Sequence, residues 1–250
     1  MHFLALATDY DGTLATSGSV DKPTLEALEA VKASGRKLLL VTGRILPELR
    51  NVFPQIAIFD LVVAENGALL FDPATGEETL LAEPPSAALI QRLQDLGVVP
   101  LAVGQSIVAT REPNEAAALT AIGELGLELQ IAFNKGAVMV LPSNVNKATG
   151  LKAALSRWGL SPHNVVGIGD AENDHAFLMA CGWAVAVENA IPALKAKVDW
   201  ITKAPRSAGV AELANLLLES DLRRDNSLAV CRPRIGRTMQ RWYTAPAKAD

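Results

Sequence analysis

The sequence predicts an α/β protein, a doubly wound parallel sheet interrupted by an inserted α+β domain. Three observations predict this class. Apolar runs of strand length alternate with helical stretches from the start of the chain. The alternation gives way to an α-β-β-α-β-β order over residues 83–142 and then resumes. At 250 residues the chain is long enough for one large or two small domains with a buried core.

Residues 1–82 form the first half of the predicted sheet domain. Pro23 and Pro47 suit the first turns of two helices, and Gly35 suits the end of the first helix. A Pro- and Gly-containing segment at 72–76 predicts the turn of a hairpin. The predicted elements are strand Phe3–Thr8, helix Pro23–Ser34, strand Lys37–Val41, helix Leu46–Phe53, strand Leu61–Ala64 and a hairpin of Leu69–Phe71 with Thr79–Leu81.

The inserted segment, residues 83–142, has two helices, each followed by two strands. Apolar residues share one face of the first helix. Asn114 is a residue type that caps helices, so we expect it to cap the second. The predicted elements are helix Ser86–Leu96, strands Val98–Val103 and Ser106–Thr110, helix Asn114–Leu125, and strands Leu127–Phe133 and Ala137–Leu141.

The sheet domain resumes at residue 143 and is predicted to run to residue 220. A helix opens at Lys147 and includes Leu155, and a strand follows at Val165–Ile168. The alternation continues to about Leu218. Residues 1–82 and 143–220 are therefore predicted to form one core around the insertion.

The last segment, residues 221–250, is predicted to be a poorly ordered basic tail, because its apolar residues follow no helical or strand period. Two alternatives stay open: a basic arm that docks an acidic partner or nucleic acid, and the start of a further module. Its arginines are Arg223, Arg224, Arg232, Arg234, Arg237 and Arg241.

The overall composition is that of a soluble globular protein, with 50% hydrophobic and 20% charged residues. No apolar stretch is long enough to span a membrane, and the N-terminus lacks a secretory signal pattern. A net charge of −4 argues against a general nucleic-acid surface. Cys181 and Cys231 give no disulfide framework. We expect a cytoplasmic enzyme with no membrane or nucleic-acid partner.

Polar groups follow the predicted strands where ligands bind in open parallel sheets, beyond the carboxyl ends. Asp9 and Asp11 come after the first strand, and Thr42 after the second. An acidic loop, Gly169–Asp174, follows the strand Val165–Ile168. Two carboxylates one residue apart suggest a bound divalent cation, and a plain acidic turn is the alternative.

Four short motifs occur in order along the chain: DYDGT at 9–13, VTGR at 41–44, Lys147 at a helix start, and GDAEND at 169–174. Together they resemble the motifs of the haloacid dehalogenase superfamily, in the Cof-type branch with a type IIB cap. The resemblance implies a Rossmann-like core with the insertion as its cap. It also implies a phosphatase similar to small sugar-phosphate and phosphoglycolate-type phosphatases.

The resemblance implies a catalytic role for four residues. Asp9 is the nucleophile that attacks phosphorus, and Asp11 protonates the leaving oxygen and then deprotonates water. Thr42 and Lys147 donate hydrogen bonds to the phosphoryl oxygens. From the residues alone, Lys147 is either such a group or a solvated lysine in a first helical turn. The helix dipole disfavours a cation there, which favours a functional reason.

A magnesium ion is the implied cofactor, because Mg²⁺ prefers hard oxygen ligands and keeps waters beside a phosphate. The family's ligands correspond to Asp9, the backbone carbonyl of Asp11, and Asp170. Asp174 holds the acidic loop, either as a direct ligand or through a metal-bound water.

Four residues are candidate substrate-binding residues: Gly43, Arg44, Asn66 and Asn173. Arg44 follows the threonine motif and contacts either the substrate or an acidic neighbour. Asn66 belongs to an Asn-Gly pair common in this branch on the substrate side, and its alternative role is a simple turn residue.

The cap offers three polar residues able to face the site, Arg111, Asn134 and Lys135, and for each we expect a solvated surface role. A short cap encloses little volume, which predicts a small phosphorylated sugar or hydroxy acid as substrate.

The histidines show no metal-ligand spacing, and the tryptophans are predicted near the core. We expect structural or surface roles for His2, His163 and His175. The tryptophans concerned are Trp158, Trp183 and Trp200.

Three alternative functions stay open. A phosphomutase of the phosphomannomutase type shares the nucleophile, the cap and the metal. A phospho-accepting signalling domain uses one aspartate as receiver, and a non-catalytic regulatory module works through the basic tail, which then binds an unknown partner. The full set of four motifs favours the phosphatase.

Overall fold

The computed structural model describes residues 2–222. The predicted tail arginines and Cys231 lie outside the described residues. Asp221 and Leu222, the first residues of the predicted tail range, pack against the rest of the fold: Leu222 is 5% exposed. Among the described residues, no helix combines the length and apolar character needed to cross a bilayer.

The first half of the chain forms the elements that the sequence predicts, with shifts of one or two residues at several ends. Pro23 lies in the first turn of the first helix, and Asp21 caps that helix by accepting from the Thr24 N–H. The elements are β1 Ala5–Thr8, α1 Lys22–Ala33, β2 Lys37–Val41, α2 Leu46–Val52, β3 Leu61–Ala64, β4 Leu69–Phe71 and β5 Glu78–Leu80.

The inserted segment has the predicted α-β-β-α-β-β order, with a shorter first strand. Its elements are α3 Ala87–Asp95, β6 Ala102–Val103, β7 Val108–Arg111, α4 Glu115–Glu124, β8 Leu129–Asn134 and β9 Ala137–Pro142. Its strands form an antiparallel sheet of their own, in the order β6-β7-β9-β8. A separate apolar cluster, which includes Leu89, Leu93, Val108 and Val140, packs α3 and α4 against this sheet. The bounds 83–142 for a cap domain stay a prediction.

The prediction that the Asn114 side chain caps α4 is wrong. Asn114 occupies the N-cap position, but its side chain accepts no hydrogen bond from the helix. Its amide group donates instead to the Val99 carbonyl at 3.1 Å and to Thr110 Oγ1 at 2.9 Å. The side chain therefore ties the start of α4 to β7 and the preceding loop.

The last part of the chain returns to the main sheet. Its elements are α5 Lys147–Trp158, β10 Val165–Gly169, α6 His175–Ala180, β11 Trp183–Ala186, α7 Pro192–Lys195, β12 Trp200–Ile201 and α8 Arg206–Ser220. Asn146 and Thr149 form a reciprocal capping box at the start of α5, and Gly159 ends that helix in the left-handed conformation.

The main sheet has eight strands in the order β12-β11-β10-β1-β2-β3-β4-β5. The six strands from β12 to β3 are parallel, and β4 and β5 extend the sheet as the predicted antiparallel hairpin. The chain runs outward from β1 to β3 and, after the insertion, outward again from β10 to β12. The strand order thus reverses between β1 and β10, which confirms the doubly wound class.

The core lies on both faces of this sheet. The central strands β1 and β2 are buried, and Leu38, Leu39 and Leu40 are 0% exposed. Helix α1 packs against α8, and α5 packs against α6. Strands that are covered on both faces have continuous apolar sequences, and such runs can be recognised in the sequence alone.

The tryptophans and histidines lie where the sequence predicts. Trp158, Trp183 and Trp200 are partly buried against the main core. His2 and His163 are exposed, and His175 is partly buried at the start of α6. Burial lowers the pKa of His175, and the nearby Lys197 lowers it further. No described histidine belongs to a group able to hold a metal.

Candidate functional site

The predicted site residues converge at the carboxyl ends of three neighbouring strands. Asp9 follows β1, Thr42 follows β2, and Asp170 follows β10, where the strand order reverses. Lys147 is the first residue of α5 and reaches the same edge. An open sheet presents its ligands at such a reversal, so the fold itself places these side chains together.

Lys147 is a buried cation that contacts two of the acidic residues. Its side chain is 0% exposed, which excludes the solvated alternative. The ammonium donates to Asp9 Oδ1 and Asp174 Oδ1, both at 2.6 Å. Burial alone would lower the pKa of Lys147, but the carboxylates of Asp174 and Asp9 outweigh burial and raise it. The two carboxylates therefore favour the charged form of Lys147.

Asp174 braces the acidic loop. Its Oδ2 accepts the backbone N–H groups of Asp170 at 2.8 Å and Ala171 at 2.9 Å, and its Oδ1 accepts from Lys147. Both carboxylate oxygens are thus engaged within the protein. Of the two roles predicted for Asp174, these hydrogen bonds favour holding the loop over direct metal ligation.

The carboxylates outnumber the buried cations. Burial raises the pKa of Asp9 well above its usual value, and the charge of Asp174 raises it further, while Lys147 opposes both. Burial likewise raises the pKa of Asp170, against a hydrogen bond from Lys135. A site with this excess of negative charge favours an added cation.

Asp9 and Asp170, with Asp174 close beside them, form an acidic cluster that suits a hard divalent cation. All three are buried, and each offers a carboxylate oxygen within 4.8 Å of the others. Oxygen donors of this kind suit Mg²⁺. Asp170 Oδ1 also accepts from Thr13 Oγ1 at 3.1 Å, which fixes its orientation.

Arg44 contacts an acidic neighbour, the second of the two roles predicted for it. Its Nε donates to Asp11 Oδ2 and its Nη2 to Asp11 Oδ1, both at 2.7 Å. The hydrogen bonds to Asp11 raise the pKa of Arg44. Asp11 is therefore held in a two-point ion pair rather than left free at the end of β1.

Asn66 and Asn173 link two of the loops at this edge of the sheet. Asn66 has a positive φ of 55°, and its Oδ1 accepts from Asn173 Nδ2 at 3.1 Å. Its backbone N–H donates to the Thr42 carbonyl at 2.9 Å. Gly43 lies beside them, since an added Cβ there would come within 3.5 Å of Asn173 Nδ2 and 3.2 Å of Met139 Sδ. Asn66 thus joins the loop at Thr42 to the acidic loop at Asn173, so it is more than a simple turn residue.

A cleft of about 440 Å³ lies between the sheet domain and the inserted segment. Asp11, Gly43 and Arg44 line it from the sheet side. The lining residues on the opposite side include Thr110, Arg111, Asn134, Lys135 and Met139.

The three candidate cap residues differ in their surroundings. Arg111 is exposed, as expected. Asn134 is partly buried, and its Oδ1 has no hydrogen-bond partner among the described residues. Lys135 departs from the expected surface role, because its ammonium donates to Asp170 Oδ2 although its side chain is 41% exposed. The inserted segment therefore contacts the acidic site through Lys135.

Sequence reasoning missed Thr13, Asn189 and this contact of Lys135. Asn189 Nδ2 donates to the Gly12 carbonyl at 2.8 Å and lies 3.5 Å from Asp170 Oδ2. Its position shortly after β11 was the available signal, since that strand ends at the same edge. Gly12 allows the Asp170 carboxylate to lie close to the backbone, because a Cβ at position 12 would lie 2.3 Å from Asp170 Oδ2.

Comparison with known proteins identifies the family of this chain. The sequence pattern of the haloacid dehalogenase-like hydrolase family matches residues 6–98 and 121–213. The chain is 32% identical over 222 residues to a phosphoglycolate phosphatase of Methanothermobacter thermautotrophicus, covering 83% of this chain and 96% of the relative.

Solved structures share the fold. A haloacid dehalogenase-like hydrolase from Bacteroides thetaiotaomicron superposes with a TM-score of 0.72 at 18% identity, covering 86% of this chain and 99% of the other. A subclass IIB sugar phosphatase of the same superfamily gives a TM-score of 0.68 at 20% identity, covering 86% and 97%. The architecture, a sheet core with an inserted cap, is common to these structures.

Proposed function

The chain belongs to the haloacid dehalogenase-like hydrolases, and we propose that this phosphatase hydrolyses a small phosphorylated metabolite through an aspartyl-phosphate, with Mg²⁺ as cofactor. The observation that carries the proposal is the contact of 2.6 Å between the buried Asp9 carboxylate and the buried Lys147 ammonium, beside Asp170. A nucleophilic carboxylate needs a neighbouring cation to approach an anionic phosphate.

In the first step, a carboxylate oxygen of Asp9 attacks phosphorus and forms the P–O bond of the aspartyl-phosphate. The bond between phosphorus and the substrate's ester oxygen breaks. Asp11 gives its proton to that oxygen, so the alcohol leaves neutral. Thr42 and Lys147 bind the phosphoryl oxygens, where charge develops in the transition state.

In the second step, water attacks the phosphorus of the aspartyl-phosphate. Asp11, now ionised, takes a proton from the water, and the bond between Asp9 and phosphorus breaks. Inorganic phosphate leaves and both carboxyl groups return to their starting states.

The carboxylates of Asp9 and Asp170 and the backbone carbonyl of Asp11 are the residues proposed to hold Mg²⁺, with Asp174 bracing their loop. When bound, the ion supplies positive charge that offsets the phosphate and the excess of carboxylates. The hydrogen bonds that orient Asp170 and Asp174 support this assignment.

The proposed substrate is a phosphorylated hydroxy acid or a sugar phosphate. A cleft of about 440 Å³ suits a small metabolite. The Methanothermobacter relative is named a phosphoglycolate phosphatase, which makes phosphoglycolate the first compound to test.

The test is phosphate release from a panel of phosphorylated hydroxy acids and sugars, with Mg²⁺ and with EDTA. We expect release only with the metal, and a loss of at least about 1,000-fold in Asp9→Asn. Asp95→Asn, an exposed carboxylate on α3, is the matched control and should retain full activity. Substantial release by Asp9→Asn would exclude the covalent route. Transfer of phosphate between positions of a sugar, without release, would identify a phosphomutase instead.

A further inference from the structure

Arg44 and Asp11 form a two-point ion pair in the lining of the cleft. Two parallel hydrogen bonds of 2.7 Å join the guanidinium to both carboxylate oxygens. Two-point contacts of this kind fix the orientation of a carboxylate as well as its distance. Both residues line the cleft, and their side chains are 28% and 36% exposed.

Arg44 is itself fixed from three directions. Its backbone N–H donates to Thr42 Oγ1 at 3.1 Å, and its carbonyl accepts the Glu65 N–H at 2.9 Å. Its guanidinium carbon lies 5.6 Å from the centroid of the Tyr10 ring, within the range of a cation–π contact. An arginine held this way is preorganised to hold its partner in turn.

We propose that Arg44 is a positioning residue, which acts through Asp11 and aims the ionised Asp11 carboxylate at the water that hydrolyses the aspartyl-phosphate. The inference rests on the proposed function, because it needs the covalent intermediate. It assigns Arg44 no contact with substrate.

The ion pair suits the second step better than the first. A general base must be aimed at the water, and two hydrogen bonds from one guanidinium fix the direction of the Asp11 carboxylate. A general acid must carry a proton on one of those oxygens, so one of the two hydrogen bonds has to open for the first step. Loss of Arg44 therefore slows hydrolysis of the intermediate.

The experiment follows the two steps separately with para-nitrophenyl phosphate, whose leaving group departs without protonation. In rapid-mixing measurements the first turnover reports formation of the aspartyl-phosphate, and the steady state reports its hydrolysis. We expect Arg44→Met to keep the first-turnover rate within about threefold and to slow the steady state by about 10-fold or more. The slowed variant should then show a burst of nitrophenol, and phosphoenzyme should accumulate.

Two further variants separate positioning from general effects. Arg44→Lys keeps the charge but loses the two-point contact, so it should show the same step-selective loss. Arg50→Met is the matched control: Arg50 lies on α2, pairs with Glu78 at 3.0 Å and stacks on Phe71, away from the cleft lining. It should behave as the wild type.

The double variant Asp11→Asn with Arg44→Met decides whether Arg44 acts through Asp11. We expect its steady-state rate to equal that of Asp11→Asn alone, because a positioning residue has no effect once its partner is removed. Additive losses, or a slower first turnover with a raised KM in Arg44→Met, would assign Arg44 to the substrate and overturn the inference. A wild type that forms no phosphoenzyme would overturn the proposed function as well, so the two failures are distinguishable.

Discussion

Lys147 is a residue whose burial is costly, and its acidic neighbours offset that cost. A lysine in the first turn of a helix opposes the helix dipole, and a buried ammonium loses its hydration. In this chain the carboxylates of Asp9 and Asp174 compensate both costs at 2.6 Å each. The same contacts offset the repulsion between these two carboxylates.

Replacing Lys147 by methionine should affect activity and stability together. Lys147→Met keeps the shape but leaves the Asp9 and Asp174 carboxylates buried without a counter-charge, which costs about 3 kcal/mol of unfolding free energy. We expect phosphate release to fall by about 100-fold or more. Urea unfolding in EDTA and a phosphate assay measure the two effects.

Lys152→Met is the matched control for this prediction, since Lys152 is an exposed lysine on the same helix. It should leave both quantities unchanged within error. Retained activity in Lys147→Met would remove Lys147 from the catalytic set.

At the scale of residues, the sequence predicted the members of the site that follow strands or open helices. Asp9, Thr42 and Asp170 were predictable because parallel strands end at one edge, whatever the details of packing. The contact of Lys135 was not, because Lys135 lies in the turn between β8 and β9. The direction of a loop side chain depends on tertiary contacts that a local pattern does not contain.

At the scale of elements, a buried carboxylate helps to hold the turn between β6 and β7 to the sheet domain. Glu65, which follows β3 and is 0% exposed, accepts the backbone N–H groups of Gln105 at 2.9 Å and Ser106 at 2.8 Å. Gly104 makes this approach possible, since an added Cβ there would lie 2.7 Å from the Glu65 carboxylate. Glu65 therefore anchors the inserted segment beside the site.

Adding one methyl group should release this anchor. Gly104→Ala pushes the turn away from Glu65 and leaves a buried carboxylate poorly paired, so we expect a loss of about 2 kcal/mol in unfolding free energy. Gly123→Ala, in α4, is the matched control, because a Cβ there meets open space. That change should be neutral or stabilising by about 0.5–1 kcal/mol. Urea unfolding of both variants checks the prediction, and an unchanged midpoint for Gly104→Ala would show that the anchor contributes little.

The order of elements in the inserted segment was predictable, but their lengths were less so. The sequence predicts a strand over Val98–Val103, whereas β6 covers only Ala102–Val103. Pro100 has no N–H to donate to a neighbouring strand, which shortens the pairing segment. The buried strands Lys37–Val41 and Leu61–Ala64 were predicted at their observed bounds, because apolar runs covered on both faces have sharp polar ends.

At the scale of the whole molecule, Asp221 joins the two ends of the described chain. Its Oδ1 accepts from Arg36 Nη2 at 2.8 Å and from the Phe3 N–H at 3.4 Å, and its Oδ2 accepts from the His2 N–H. Arg36 also donates to the Phe3 carbonyl at 3.2 Å and to the Leu217 carbonyl at 3.3 Å. The end of α8 is thereby fixed to the residues that precede β1 and β2. Residues beyond Leu222 lie outside the described range, and the basic arm stays a prediction.

The hydrogen bonds of Asp221 should make the unfolding free energy of the protein depend on pH. Burial alone would raise the pKa of Asp221, but the hydrogen bonds from His2, Arg36 and Phe3 outweigh burial and lower it. A carboxyl group whose pKa is lower in the folded than in the unfolded state stabilises the fold above its unfolded pKa of about 4, and that stabilisation is lost as the pH falls through the folded value. We therefore expect Asp221→Asn to lower the unfolding free energy by about 2 kcal/mol at pH 7, and the difference from wild type to shrink below about pH 4.

Glu26→Gln, which breaks the exposed pair with Lys22, is the control for this prediction and should change the unfolding free energy by less than about 0.5 kcal/mol at either pH. Urea unfolding across this pH range measures both variants. A gap between Asp221→Asn and wild type that stays constant down to low pH would mean that packing of the chain ends, and not the charge of Asp221, holds α8 in place.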